Sequence, residues 1–487
     1  MTQYADTYEL VVGLEIHIQL NTQSKLFAPE SHVFGQLPNT QTSVVSLAYP
    51  GTLPRLNRQA LVSALRLALA CNCAIQPRLV FDRKNYFYPD LPKGYQISQD
   101  KEPIAQGGIL HFWDSQGDIK TLPLHHFHLE EDAGKSIHPE NAAESHLDFN
   151  RAGVPLIEMV TEPVIHASET ALQLLYAVRR LVRFLGISDG NMEEGSLRCD
   201  ANVSVRPHGS SRLGTRVEIK NLNSARNVKK AIEYEFVRQC ELLAQGQHFS
   251  QETRAFDAEL GRTRTLRQKE SLHDYRYFPD PDLPPFLIKP DWIAAIQAEM
   301  PTLPHEWLYT LRNTYGLPAS EAVTLAEEPE ALRYFEEAAR HTPLYAELAH
   351  WLNNELRALQ KETGLLPARW PLRPKVLAEL LTLVASQKVS RLIAQHQLLP
   401  QLWNNPAHSL ADLIQDQHLA MEDNSAVLQN LIQEILLAWP DKVKAYKKGK
   451  KGLLGFFMGE IQKRTQGKAH PSLAQQLLAE ALDSSRY

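Results

Sequence analysis

Apolar and polar positions alternate with a period of two in several short stretches of the N-terminal half. From Arg198 to Arg206, Arg198, Asp200, Asn202, Ser204 and Arg206 fall on one side; Cys199, Ala201, Val203 and Val205 fall on the other. This predicts a strand with its back in a core and a polar front. Leu14 to Leu20 sets Glu15, His17 and Gln19 against four aliphatics, and Thr215 to Asn221 sets Arg216, Glu218 and Lys220 against Val217 and Ile219. Pro155 to Thr161 carries a lone Glu158 among Leu156, Ile157, Met159 and Val160. An ordinary solvated face of an antiparallel sheet explains any one of these strands. The recurrence of carboxylates beside Arg, Lys, His and Asn points to one shared charged surface, suited to a hard metal ion and a polyphosphate.

Elsewhere the period lengthens to that of a helix. Arg58 to Ala70, Glu169 to Leu185 (stopped by Gly186) and Asn227 to Gln245 (stopped by Gly246) read as core-facing helices. Phe278 to Pro285 is proline-rich and excludes helix, so a boundary is expected there. Beyond it, Trp292 to Glu299, Glu306 to Tyr315, Ser320 to Leu325, Glu330 to Ala339, Leu344 to Leu359, Lys375 to Ser386 and Leu410 to Gln415 all show helical spacing. From about Asn424 the chain is helical and basic. The predicted class is α+β: a large, mainly antiparallel sheet with helices over residues 1–290, an all-α middle over 291–415 and a helical basic tail over 416–487.

The chain's 487 residues exceed one core. A formal net charge of −5 confines any nucleic-acid contact to a local patch. The tail supplies one: Lys447, Lys448, Lys450, Lys451, Lys463 and Lys468, interleaved with Gly449, Gly452, Gly455 and Gly459 and with Phe456 and Phe457. The 4 cysteines form no paired Cys-x-x-Cys knuckles; buried thiols in a reducing cytoplasm are expected, and no zinc site. The first residues lack a basic leader before an apolar run, so no secretory signal is expected. No apolar stretch approaches the ~20 residues of a membrane span.

Two acidic groups stand out: Glu15 with His17, and Glu130, Glu131 and Asp132. Carboxylates with one imidazole suit Mg²⁺ or Mn²⁺ better than zinc. Glu130 and Glu131 point to opposite faces if the strand is regular, so one of the two is expected to join Glu15 and His17. Gly134, Lys135 and Ser136 resemble the end of a P-loop, but Leu129 occupies the first glycine position, so a P-loop is excluded. Phosphate must then be met by cations, for which Arg83, Lys84, Arg198 and Lys220 are candidates. Phe81 to Tyr95 mixes aromatic and basic residues: either an edge strand and loop packed by tyrosines, or a surface that stacks on a base. No nucleophile elbow or activated cysteine is present for hydrolysis.

The motifs resemble those of the GatB/GatE family, the B subunits of the aspartyl/glutamyl-tRNA amidotransferase GatCAB. The resemblance is carried by Val12 to His17, Leu47 to Pro54, Phe81 to Ser98, Leu129 to Ser136, Asp148 to Glu158, Met192 to Asn202, Glu218 to Ser224, Glu252 to Arg254 and Asp274 to Pro279, and in the tail by Gly455 to Gly459 and Gly467 to Pro471. It implies a cradle-shaped, kinase-like domain, a helical domain and a tail that touches tRNA. It implies ATP and Mg²⁺ as cofactors, with phosphorylation of the side-chain carboxylate of glutamate or aspartate already esterified to tRNA(Gln) or tRNA(Asn). Ammonia then displaces the phosphate. The implied partners are a glutaminase that releases the ammonia, a further small protein of the heterotrimer, the misacylated tRNA and the non-discriminating aminoacyl-tRNA synthetase, all in the cytoplasm. Some family members hold zinc near the stretches matching Ser43 to Ser46 and Leu79 to Phe81; serines here leave no zinc expected.

On this reading Glu15, His17 and Glu131 hold Mg²⁺, with Glu130 the substitute. Lys84 and Arg198 neutralise the transferred phosphoryl group, with Arg83 and Lys220 as further phosphate cations. Asp200, Asn202 and Glu158 orient the substrate carboxylate or a second metal, and Glu218 and Lys220 equally suit a plain structural pair. A non-catalytic tRNA-binding scaffold and an ATP-dependent ligase of a small carboxylate are the competing readings. The charged strand faces argue against the first and the basic tail against the second.

Overall fold

A computed structural model describes residues 4–139, 144–268, 275–421 and 425–484. Asp274 of one family-like motif and Asn424, the expected start of the basic segment, lie outside these residues. The chain divides into two compact units, Met1–Trp307 and Leu308–Tyr487.

The first unit is organised on a 10-stranded sheet. Its long strands are β1 (Tyr8–Gln19), β2 (Ile119–Glu131), β3 (Pro155–Thr161), β4 (Leu197–Pro207), β5 (Val217–Leu222), β6 (Glu252–Asp257) and β7 (Arg262–Gln268). They lie in the order β7-β6-β5-β4-β1-β3-β2, followed by short strands at Ala105–Gln106 and Ala74–Ile75, with Ile109–Trp113 also on β2. All these pairings are antiparallel except β5 with β6. Leu14, Ile16 and Ile18 of β1 and Leu20 just beyond it are fully buried, and Cys199, Ala201, Val203 and Val205 of β4 bury beside them. A slip of one residue would drive Glu15 and His17 into that core, so the hydrophobic pattern fixes the register.

Three helices cover the apolar face. In α1 (Arg58–Ala70) Asn57 caps the start, its side chain accepting from the Gln59 and Ala60 amides at 2.8 and 3.2 Å. α2 (Ser168–Phe184) turns off at Gly186, whose φ is +66°. Ser224 caps α3 (Ala225–Ala244) through the Asn227 amide. The first unit continues past the proline-rich passage to Trp307, because α4 (Pro290–Ala298) buries Ile296 in the same core as α1.

A separate three-stranded sheet pairs Asp82–Asn85 with Tyr95–Ser98 and Phe278–Pro279. Its loop is packed by tyrosines in edge contact, Tyr86 with Tyr88 and Tyr275, while Phe87 stays 89% exposed.

The second unit is helical in its described residues. The stretch expected as one helix over 344–359 is divided: Tyr345–Trp351 and Arg357–Thr363 flank a π-helical turn at Leu352–Leu356, where Asn353 donates to the Glu321 carbonyl and carboxylate. Toward the end, Leu428, Ile432, Ile435, Val443, Phe457, Ile461 and Leu478 form a small core of their own. Among the described residues no helix is long and apolar enough to cross a membrane.

Candidate active site

The polar fronts of β4, β1, β3 and β2 lie side by side, and register lines their side chains up. Arg198 is opposite His17, His17 opposite Glu158, and Glu158 opposite His128. Glu130, one pleat along β2 from His128, completes the group. His17 Nε2 stands 3.5 Å from Glu130 Oε1 and 3.3 Å from Glu158 Oε2; His128 Nε2 is 3.1 Å from that same Glu158 oxygen. Burial works against charge on every member, yet the pairing prevails. The Glu158 and Glu130 carboxylates raise His17 and push His128 up to about 10. In return Glu158 falls well below the usual carboxylate range and Glu130 is also lowered.

A second group begins two residues away on β1. Glu15, Asp200 and Glu218 bring carboxylate oxygens within 4.8 Å of one another. Asn202 donates to Glu15 Oε1 at 2.7 Å, and Lys220 Nζ reaches Asp200 at 2.6 Å and Glu218 at 2.9 Å. Glu15 is raised by burial first and then by the neighbouring Glu158 charge. Glu218 and Lys220 are thus a true ion pair, which also anchors Asp200.

Other sequence candidates are placed differently. Glu131, favoured by sequence to complete the His17 set, points to the opposite face because β2 runs regularly through it. There it pairs with Lys93 and accepts from the Ile97 amide at 2.9 Å, under a cavity of about 210 Å³ shared with Tyr95 and Gly153. Glu130 takes the place beside His17. Arg83 is held away by Asp280 and Asp282 at 2.9 and 2.8 Å and lies against the Tyr95 ring. Lys84 has its Nζ 5.1 Å from the Tyr275 ring centre, and no described carboxylate is within ion-pair distance. Arg198 donates to Asp132 at 2.7 Å, while its buried Nε has no hydrogen-bond partner.

The His17, Glu130 and Glu158 donors lie within 4.8 Å of one another. His17 and Glu158 keep 21% and 15% of their side chains exposed, so the set opens to solvent. Separations of 3.3 and 3.5 Å exceed charge-assisted hydrogen bonds of about 2.7–2.9 Å. They suit donors spread around a small cation with metal–oxygen distances of about 2.1 Å. The set is one imidazole and two carboxylates; the nearest thiol by sequence, Cys199, faces the core. This chemistry fits Mg²⁺ or Mn²⁺.

Family models described as the GatB/GatE catalytic domain and the GatB domain match residues 10–294 and 333–482. The chain belongs to the GatB/GatE family. It is 45% identical to the B subunit of the aspartyl/glutamyl-tRNA(Asn/Gln) amidotransferase of Pelodictyon phaeoclathratiforme over 98% of this chain and 99% of that one. The corresponding protein of Chlorobium chlorochromatii is equally similar over the same shares, and that of Thermosynechococcus vestitus is 44% identical over 98% and 97%. Every residue of the two clusters falls inside the matched GatB/GatE catalytic domain, and the tail lysines inside the GatB domain.

Within this GatB/GatE chain, Lys447, Lys448, Lys450 and Lys451 gather at the turn between helices Pro440–Lys447 and Leu453–Arg464. Lys448, Lys450, Lys451 and Lys463 are exposed, and Lys468 is half-buried. Lys451 lies over the Tyr446 ring at 4.1 Å. His128 escapes a reading of the sequence alone, and Asp132 stands in the acidic run there without an assigned role. His128 shares a face with Glu130 at a spacing of two, a signal masked by the acidic run Glu130 to Asp132. Asp132 leaves the strand and meets Arg198 and Arg151, a consequence of the turn at Ala133 and Gly134.

Proposed function

We propose that this chain performs the activation and amidation half of an ATP-dependent tRNA amidotransferase. The side-chain carboxylate of glutamate or aspartate, esterified to tRNA(Gln) or tRNA(Asn), attacks the γ-phosphorus of ATP and ADP leaves. Ammonia then attacks the acyl phosphate; phosphate departs and an amide remains. The names of the relatives support the substrate class, and their designation as subunits supports a multi-subunit enzyme with a separate source of ammonia. The observation that carries the reading is the convergence of His17, Glu130 and Glu158 beside Glu15, Asp200 and Glu218 on one sheet face.

In this proposal His17, Glu130 and Glu158 hold the divalent ion, which when bound neutralises charge on the transferred phosphoryl group. Arg198 lies beside that set and has an uncommitted buried Nε to offer an oxygen. Lys220 holds Asp200 in place, and Asn202 orients Glu15. With partner subunits, misacylated tRNA and γ-labelled ATP, but no ammonia source, label is expected on the aminoacyl group; hydroxylamine should release it as labelled phosphate and leave a side-chain hydroxamate. Its absence, with tRNA binding intact, would favour the scaffold reading.

The tail is proposed to follow a phosphate backbone. Reversing charge at Lys448, Lys450 and Lys451 together is expected to weaken tRNA binding. It should also reduce the slope of log affinity against log salt by about 2 to 3. An unchanged slope would remove the tail from the interface.

A further inference from the structure

The two carboxylate oxygens of Glu130 face different partners. Oε1 lies 3.5 Å from His17 Nε2. Oε2 faces Ser98, the last residue of the strand Tyr95–Ser98, whose hydroxyl donates to it at 3.4 Å. His128 Nε2 stands 3.6 Å from that second oxygen, past hydrogen-bond reach, and is nearer Glu158 at 3.1 Å. Glu130 and Ser98 are both buried, which shields Oε2 from solvent and leaves the Ser98 hydroxyl as its donor.

The chain around Ser98 is fastened along the end of β2. Gln99 Oε1 accepts from the Leu129 amide at 3.0 Å, the Ile97 amide donates to Glu131 Oε1 at 2.9 Å, and the Gln96 side chain donates to the Glu131 carbonyl at 2.6 Å. From behind, Ser98 pairs with Asp82 in the three-stranded sheet, and Gln99 Nε2 donates to the Val80 carbonyl at 3.0 Å. Gln96 to Gln99 thus form a strap over Leu129 to Glu131. Ser98 is the member of that strap whose side chain meets a carboxylate of the His17 set, and its backbone is held on both sides.

We propose that Ser98 is a positioning residue that sets the ion preference of His17, Glu130 and Glu158; the inference rests on the ion assignment above. By engaging Oε2, the hydroxyl leaves Glu130 a single oxygen to offer, Oε1. A one-oxygen ligand suits a small ion that demands a near-ideal octahedron at about 2.1 Å. Ca²⁺ is larger, takes roughly six to eight oxygens and accepts both oxygens of one carboxylate. Without the hydroxyl, Oε2 is free to turn in beside Oε1. That change suits Ca²⁺ and leaves the ligand of the smaller ion poorly aimed. Partners of metal ligands act in this way generally, and their loss typically costs about 10- to 100-fold in metal affinity.

The test titrates the assembled enzyme separately with Mn²⁺ and with Ca²⁺ by calorimetry. Ser98→Ala is expected to lower Mn²⁺ affinity about tenfold while Ca²⁺ affinity stays within about twofold. Ser98→Thr, which keeps the hydroxyl, should retain the parent's preference. An unchanged ratio of the two affinities in Ser98→Ala overturns the proposal, and so does an equal loss of both ions, the result of a merely structural role. Should Ser98→Ala fail to fold, Ser98→Cys carries the comparison: its weak S–H donor should give a reduced Mn²⁺ preference, and the parent's preference there overturns the proposal. Glu130→Gln separates this inference from the ion assignment. Mn²⁺ lost in Glu130→Gln with the ratio unchanged in Ser98→Ala removes Ser98 alone. Mn²⁺ bound by Glu130→Gln as by the parent removes the ion assignment, and this inference with it.

Discussion

Glu158→Gln is expected to lower ATP-dependent amide formation by about three orders of magnitude. Glu158 stands between His17 at 3.3 Å and His128 at 3.1 Å, and its carboxyl is held well below the usual range by those imidazoles. Glutamine keeps the volume and removes the charge, so the loss reports electrostatics and ion binding more than packing. Under the proposed division of labour, glutamine hydrolysis by a separate ammonia-supplying subunit should remain measurable. His17→Ala and Glu130→Gln should behave alike, because the three donors act as one set and their losses are not additive. Glu131→Gln, on the opposite face with Lys93, should leave divalent-ion affinity unchanged. That contrast decides between the adjacent glutamates. Full activity of Glu158→Gln would remove the row of polar strand fronts from the chemistry.

The second large effect concerns stability. Glu235→Ala is expected to destabilise the first unit by about 3–5 kcal/mol, the cost of leaving buried charge uncompensated. Glu235 is fully buried on α3. It accepts from Arg238 at 2.6 Å, Gln239 at 2.9 Å and Thr263 at 3.2 Å, and Arg254 lies 3.6 Å away. Arg254 in turn pairs with Glu252 at 2.9 Å. The network ties α3 to β6 and β7. It also gives the Glu252, Thr253 and Arg254 motif a scaffolding role: Thr253 donates to Glu218 at 2.8 Å, linking this network to the second carboxylate cluster. Urea unfolding should show a lower midpoint for Glu235→Ala, with the divalent-ion site still formed below it. A midpoint within experimental error of the parent would mean that the two arginines find other partners.

The strands of the site are legible because burial on one face forces alternation. Alternation alone therefore places Glu15, His17, Glu158, Asp200 and Asn202 on one polar surface, as the strand register does. It cannot give the lateral register, which decides that Glu158 meets His17 and that Glu15 heads a different cluster. The same period-two rule separates Glu130 from Glu131, but choosing between them requires knowing that β2 runs straight to Glu131. Arg83 misleads because its true partners, Asp280 and Asp282, are nearly two hundred residues away. The helical middle is legible in outline. Its π-helical turn is not, since it depends on Asn353 reaching Glu321 across the fold.

The most direct test of the central claim is a Mn²⁺ titration followed by electron paramagnetic resonance, on the parent enzyme and on Glu158→Gln. The account predicts a bound ion in the parent whose spectrum changes when ATP is added, and loss of that ion in Glu158→Gln with the protein still folded. An unaltered Mn²⁺ affinity in the variant would contradict it.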